Sequence, residues 1–128
     1  FWNDGKGVFY NYTNHDSYSQ LGNSLAVLCG AISGDQAALL SEKILNDPEM
    51  TSVSLSMRCF LNDALLKISK EKYEPIILEQ IEKLYIPMLE FGSTTVWETE
   101  IGESDFENAA SLCHGWSALP IYYYEKLL

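Results

Sequence analysis

The most periodic part of the sequence is Met57-Arg-Cys-Phe-Leu-Asn-Asp-Ala-Leu-Leu-Lys-Ile68. Its apolar side chains recur at i, i+3, i+4, i+7, i+8 and i+11, which is the spacing of one face of an α-helix. A second amphipathic stretch follows Lys72, and we expect Pro87 to kink or end it because proline lacks a backbone donor. The predicted apolar face of this stretch consists of Tyr73, Ile76, Ile77, Ile81, Leu84, Tyr85 and Met88.

The same period extends toward both ends of the chain. Ser17-Tyr18-Ser19-Gln20 fits a capping box, in which a serine hydroxyl and a glutamine side chain satisfy each other's free amides. The helix predicted after it has an apolar face of Tyr18, Leu21, Leu25, Leu28, Cys29 and Ile32. Asp35 can cap a further helix, and another is predicted from Ala109, with Pro120 as an interruption. The sequence therefore predicts an all-α fold of about five helices in antiparallel pairs.

Charge and length exclude several classes of protein. The 128 residues include 18 acidic and 8 basic side chains, so the formal net charge is -10. Phosphate contacts need a basic surface, which this composition does not predict. No apolar run reaches the roughly 18–20 residues of a membrane span, and the acidic balance argues against an anionic lipid surface. We therefore expect neither a nucleic-acid partner nor a membrane partner.

The ends of the chain and its cysteines give two further expectations. The chain starts at Phe1 without a methionine and stops at Leu128 inside a helical pattern, so we expect a fragment of a longer protein. The three cysteines, Cys29, Cys59 and Cys113, contain no CxxC pair, which argues against a zinc site. They are predicted to be buried thiols.

The helical period breaks at Gly92-Ser-Thr-Thr-Val-Trp-Glu98-Thr-Glu100, which is β-branched and aromatic and predicts a short extended segment. A carboxylate beside a large aromatic ring suits a sugar site, where carboxylates accept hydrogen bonds or transfer protons. Glu98 and Glu100 would share one face of a strand, about 6.5–7 Å apart. That separation falls at the low end of the range for an inverting glycosidase, roughly 6.5–9.5 Å. The alternative is an acidic loop edge with Trp97 buried.

A second unusual segment is Ser111-Leu-Cys-His114-Gly-Trp-Ser-Ala118. His114 at a helix start could be a hydrogen-bonding residue, a general base or an ordinary histidine. The other histidine, His15, stands beside Asp16 and nothing pairs it with His114, so no metal site is expected. No Gly-x-Ser-x-Gly elbow exists for a serine hydrolase triad.

Together the two segments resemble the closing part of the catalytic domain of α-L-rhamnosidases of glycoside hydrolase family 78. In that family a Thr-Thr-x-Trp-Glu stretch precedes a Ser-His-Gly-Trp-Ser-Ala stretch. Here Thr94-Thr-Val-Trp-Glu98 is followed by Cys113-His-Gly-Trp-Ser-Ala118, and the resemblance covers most of the chain. Cys113 stands where serine is usual, and Leu119 stands where glycine is usual. These departures leave other six-hairpin glycosidases open.

The resemblance implies antiparallel helical hairpins that form part of an (α/α)6 toroid, with residues 1–128 as the C-terminal portion of the catalytic domain. It also implies inverting hydrolysis of terminal α-L-rhamnose without a cofactor. Glu98 matches the general base, Trp97 the aromatic beside it, and His114 and Trp116 residues near the sugar pocket. The family's general acid lies in an upstream segment, which predicts that this chain alone is inactive.

Two other interpretations remain open. One is a non-catalytic helical module that binds carbohydrate or another partner. The other is a different (α/α)6 carbohydrate enzyme, either a hydrolase or a lyase. A fragment of a toroid also predicts self-association through exposed hairpin faces, because apolar faces that lack their neighbours remain uncovered.

Overall fold

The computed structural model describes residues 1–13 and 16–128, so His15 lies outside the described residues. The chain forms two compact units. The first contains residues Phe1–Val53 and Arg58–Lys70, and the second contains Ser54–Met57 and Glu71–Leu128. Five α-helices dominate the described residues of both units, which confirms the predicted all-α class.

The first unit combines a small hairpin with three helices. The strands β1 (Trp2–Asn3) and β2 (Val8–Phe9) pair antiparallel. They are followed by α1 (Gln20–Leu28), α2 (Gly34–Asn46) and α3 (Arg58–Ile68). Helix α1 packs against both α2 and α3, so it is the central helix of this unit.

The start of α1 differs from the predicted capping box. Its N-cap is Ser19, whose Oγ accepts a hydrogen bond from the Gly22 N–H at 3.1 Å. The Gln20 side chain instead donates to the Ile44 carbonyl at 2.7 Å and accepts from the Val53 N–H at 2.9 Å. The capping box at Ser17 is therefore wrong, because the glutamine bridges the end of α2 to the segment before α3.

The buried face of α1 also differs from the prediction. Asn23, Ser24 and Val27 are buried, whereas Leu25 is 43% exposed. The Asn23 amide accepts from the Phe9 N–H at 2.8 Å and donates to the Phe9 carbonyl at 3.1 Å. The amide thus acts as a hydrogen-bonding partner for β2, which explains why a polar side chain lies in the interior.

Helix α3 follows its sequence period only in part, because Phe60 of the predicted apolar face is 37% exposed and Asn62 is buried. Leu61, Ala64 and Leu65 are each at most 1% exposed, as the spacing predicted. At the end of the helix, the Lys67 ammonium donates to the Val27 and Leu28 carbonyls at 3.0 and 2.8 Å. This lysine satisfies carbonyls that the last turn of α1 leaves without helical partners.

The second unit is built around α4 (Lys70–Glu90) and α5 (Pro120–Leu127). Five residues of the predicted α4 face are buried: Tyr73, Ile77, Ile81, Tyr85 and Met88. Pro87 lies inside the helix, which continues to Glu90, so the expectation that proline ends it is wrong. The buried Tyr85 and Met88 on either side of Pro87 keep this turn packed in the interior.

The C-terminal segment contains less helix than predicted. Residues after Ala109 form loops and a 3-10 turn at Gly115–Ser117, and α5 begins at Pro120. Proline is well suited to a first helical position because that position needs no N–H donor. The predicted interruption is therefore the actual start. The 3-10 turn is fixed by the buried Tyr85 hydroxyl, which donates to the Ser117 carbonyl at 2.6 Å.

The cysteines are thiols, but the prediction that they are buried is wrong for Cys29 and Cys113 and holds only in part for Cys59. Cys29 and Cys113 are exposed, because Cys29 follows the last turn of α1 and Cys113 lies in a loop. Cys59 is partly buried on α3, and burial raises the pKa of its thiol.

Across residues 1–13 and 16–128, none of the helices has the length and apolar character needed to cross a bilayer.

Candidate active site

The two segments that break the helical period lie side by side in the second unit. The Glu98 N–H donates to the Ser111 carbonyl, and the His114 N–H donates to the Val96 carbonyl, both at 2.9 Å. The Thr95 hydroxyl also donates to the Leu112 carbonyl. These bonds bring Glu98 and His114 to the same region, although neither segment forms a regular strand.

The Glu98 side chain is fixed by the same partner as its backbone. Its Oε2 accepts a hydrogen bond from the Ser111 N–H at 2.9 Å, while its own N–H binds the Ser111 carbonyl. Two hydrogen bonds between one pair of residues fix both the backbone and the carboxylate. The half-buried carboxylate therefore has a defined orientation.

The expected pairing of Glu98 and Glu100 on one strand face is wrong. The chain turns immediately after Glu98, with the Gly102 N–H bonded to the Thr99 carbonyl at 3.3 Å. Glu100 is exposed in this turn and does not line the cavity next to Glu98. The two carboxylates therefore do not flank a common space.

A cavity of about 440 Å³ opens beside Glu98, within the usual range of ligand pockets, roughly 300–1,000 Å³. Polar and apolar side chains both contribute to its wall. The lining residues are Ser54, Ser56, Met57, Glu98, Thr99, Phe106, His114 and Trp116. Three of the four residues predicted from the sequence, Glu98, His114 and Trp116, thus share one cavity.

Trp97 has a different placement from the other three. Its side chain is only 7% exposed, and its Nε1–H donates to the Ser93 Oγ at 3.0 Å. The Phe91 ring meets the indole edge-on, with centroids 5.3 Å apart. The indole does not line the cavity. Trp97 therefore anchors the backbone next to Glu98 in the interior. This placement agrees with the alternative interpretation, an acidic loop edge with a buried tryptophan.

Trp116 presents an exposed ring at the cavity. It is 73% exposed and lies in the 3-10 turn Gly115–Ser117, immediately after the half-buried His114. An indole exposed to this degree covers little of the protein's own core and is available to a ligand. The hydrogen bond from Tyr85 to Ser117 fixes the turn that carries it.

Sequence reasoning missed two parts of the cavity wall. Phe106 carried a weak signal, as an aromatic residue in the otherwise polar and acidic loop 102–108. Ser54, Ser56 and Met57 carried none, because they lie about forty residues before Glu98 and reach the cavity only through folding. The spacing predicts Met57 on the apolar face of α3, whereas it lies just before that helix and lines the cavity.

A second cavity in this unit has a different character. It measures about 470 Å³ and lies among α4, residues 93–96 and the start of α5. Its wall is mainly aliphatic and aromatic, and Glu82 is the one carboxylate among the described residues that line it. Within the described ranges, no three His, Cys, Asp or Glu side chains are grouped in a way that could hold a metal ion. The cavity beside Glu98 is therefore the better candidate for chemistry.

The fold is similar to that of a segment of a glycoside hydrolase. More particularly, the chain is similar to the crystal structure of a GH78 family rhamnosidase of Bacillus sp. GL1, with a TM-score of 0.78 and 26% sequence identity. The similarity covers 97% of this chain, which spans only 14% of the length of that structure. No protein-family model and no curated protein matches the chain. The resemblance to glycoside hydrolase family 78 is thus confirmed by structure.

Proposed function

We propose that the chain is part of the (α/α)6 catalytic domain of an inverting glycoside hydrolase that releases terminal α-L-rhamnose from glycans or glycosides. The observation that carries the proposal is the shared cavity of Glu98, His114 and Trp116. It occurs in a chain whose fold is similar to a rhamnosidase along 97% of its length. A carboxylate, an imidazole and an exposed indole together suit a sugar, which has both hydroxyl groups and apolar ring faces.

Glu98 is the general base in this proposal. The Ser111 N–H holds Oε2, which leaves Oε1 to orient a water molecule. The carboxylate takes a proton from that water as its oxygen attacks the anomeric carbon on the face opposite the leaving group. The bond to the aglycone breaks, and the departing oxygen receives a proton from a general acid. The sugar is released with inverted configuration.

The general acid is assigned to another part of the longer protein. Among the described residues that line the cavity, Glu98 is the one carboxylate, whereas an inverting glycosidase uses two. The chain by itself is therefore expected to have no hydrolase activity.

The other three predicted residues have two kinds of role. His114 and Trp116 contact the sugar, the imidazole through a hydroxyl group and the indole through an apolar face. Trp97 positions the backbone that carries Glu98 through its hydrogen bond to Ser93 and its packing against Phe91. Direct contact of Trp97 with the sugar stays a prediction, as does self-association through exposed helix faces.

The test is the substitution Glu98→Gln in the full-length protein that contains this chain. Replacing the carboxylate with an amide keeps the shape of the side chain and removes the base. The kcat for an aryl α-L-rhamnoside should therefore fall about 10²–10⁴-fold. Binding of L-rhamnose, followed by tryptophan fluorescence, should change little. Glu103→Gln is the matched control, because Glu103 is exposed in the same loop and does not line the cavity.

A Glu98→Gln enzyme with wild-type turnover contradicts the assignment of the base. The stereochemistry is checked separately by proton NMR during the first minutes of the reaction. Inversion requires the β-anomer of the sugar to form first, and early appearance of the α-anomer contradicts an inverting mechanism.

A further inference from the structure

A strained turn lies in the wall of the candidate active site. Phe106, Glu107 and Asn108 all have positive φ angles, of 50°, 60° and 67°. This region is uncommon for residues other than glycine, because Cβ crowds the following carbonyl. Asn108 tolerates it better than the other two, since asparagine is enriched there. Three consecutive residues in this conformation need an external cause.

The turn is held by hydrogen bonds that converge on Asp105. The Asp105 Oδ1 accepts from the Phe106 N–H at 2.9 Å, and its carbonyl accepts from the Ala109 and Ala110 N–H groups at 3.1 and 3.3 Å. Ala109 also donates to the Phe106 carbonyl at 3.2 Å. Ala110 is buried, which fixes the far end of the turn. The surroundings therefore stabilise a conformation that the residues themselves disfavour.

The result of this turn is the position of one aromatic side chain. Phe106 is 59% exposed, so packing against the protein's own core does not explain its placement. It nevertheless lines the same cavity as Glu98, His114 and Trp116. Strained backbone and exposed aromatic surface coincide at the cavity wall, and both are features of binding sites.

We propose that Phe106 is a substrate-contacting residue, and that the turn at residues 105–109 positions its ring. The inference rests on the proposed function, because it concerns how the same cavity holds its sugar. Phe106 and Trp116 cover apolar parts of the bound sugar, while Glu98 and His114 serve its polar groups. The ligand class is a sugar with an apolar surface large enough to meet aromatic rings.

The experiment compares variants of the full-length protein in steady-state hydrolysis of an aryl α-L-rhamnoside. Phe106→Ala should raise KM about 10- to 100-fold, the range for loss of an apolar contact, and leave kcat within a factor of about three. Phe106→Tyr keeps the ring and should restore KM. Ile101→Ala is the matched control, because Ile101 is 62% exposed in the same loop and does not line the cavity.

A second variant tests the turn itself. Glu107→Gly places glycine at a φ of 60°, which relieves strain and should not lower Tm. If the turn positions Phe106, the freer backbone raises KM several-fold even though the protein is no less stable. A purely structural role for the turn predicts unchanged KM.

The outcomes separate this inference from the proposed function. If Glu98→Gln abolishes turnover but Phe106→Ala changes neither KM nor kcat, the role of Phe106 is overturned and the proposed function is not. An equal rise of KM in Ile101→Ala also overturns it, because the effect would then belong to the loop. A wild-type enzyme that neither hydrolyses the rhamnoside nor binds L-rhamnose overturns both proposals.

Discussion

Gly102 is the residue whose substitution tests most directly how the site is supported. It has a φ of 66°, and a Cβ placed there would lie 2.9 Å from Cε3 and 3.0 Å from Cζ3 of the Trp97 indole. The Leu112 Cδ2 would be 3.3 Å away. The indole is buried and donates a hydrogen bond to Ser93, so it has little room to move. We therefore predict that Gly102→Ala is strongly destabilising.

The magnitude follows from two separate costs. An L-residue at positive φ costs about 1–2 kcal/mol. Overpacking a buried site costs about 1–3 kcal/mol more. Gly102→Ala should therefore lower the free energy of unfolding by about 2–5 kcal/mol. Gly92 provides the matched control, because its φ is 87° and a Cβ there meets nothing within 4 Å. Gly92→Ala should cost about 1–2 kcal/mol, the backbone part alone.

The assay is equilibrium urea unfolding of both variants and the wild type, followed by tryptophan fluorescence. The difference between the two alanine variants isolates the contact with Trp97 and Leu112. Equal losses of unfolding free energy in the two variants would refute the argument, because they would show that the indole yields without cost. A shift of fluorescence in native Gly102→Ala but not in native Gly92→Ala would locate the disturbance at Trp97.

Two further predictions concern hydrogen bonds of the tyrosines. Tyr85→Phe removes one of the two donors to the buried Ser117 carbonyl, which keeps the Leu119 N–H at 2.8 Å, so the free energy of unfolding should fall by about 0.5–1.5 kcal/mol; an unchanged free energy of unfolding in urea contradicts this. Hydrogen bonds from the Tyr18 hydroxyl and the Lys6 ammonium lower the pKa of Glu49. The stability that these bonds contribute is therefore present above the ordinary pKa of the carboxyl group and is lost as pH falls through the lowered pKa. Tyr18→Phe should therefore lower the urea midpoint more at pH 7 than at about pH 3, and a difference from wild type that is independent of pH is the contrary result.

The sequence predicted helices well where burial follows an apolar stripe. Leu61 and Leu65 on α3, and Ile77 and Ile81 on α4, are buried as their period requires. The face of α1 could not be found in this way. Asn23 is buried because its amide pairs with the backbone of β2, and that partner is known only after folding.

The candidate site was partly predictable for a related reason. Breaks in helical periodicity drew attention to Glu98 and His114, and the family resemblance added Trp116; the structure places all three in one cavity. The pattern could not show that Trp97 is buried outside the lining of that cavity, because adjacent residues in an irregular segment have no fixed alternation. Nor could it identify Phe106, whose position depends on a left-handed turn without glycine.

The hydrogen bonds that join the segment around Glu98 to the segment around Ser111 and His114 are made largely by peptide groups. The Glu98 and His114 N–H groups donate to carbonyls, and the Ser111 N–H donates to the carboxylate. Every amino acid except proline carries such a donor. Residues 111 and 114 can therefore be replaced by other amino acids without loss of these backbone hydrogen bonds. Proline is the exception at positions 98, 111 and 114, because it has no N–H group to donate. Substitutions that change the chemistry of the site can therefore occur at residues 111 and 114 without loss of the backbone hydrogen bonds that join the two segments.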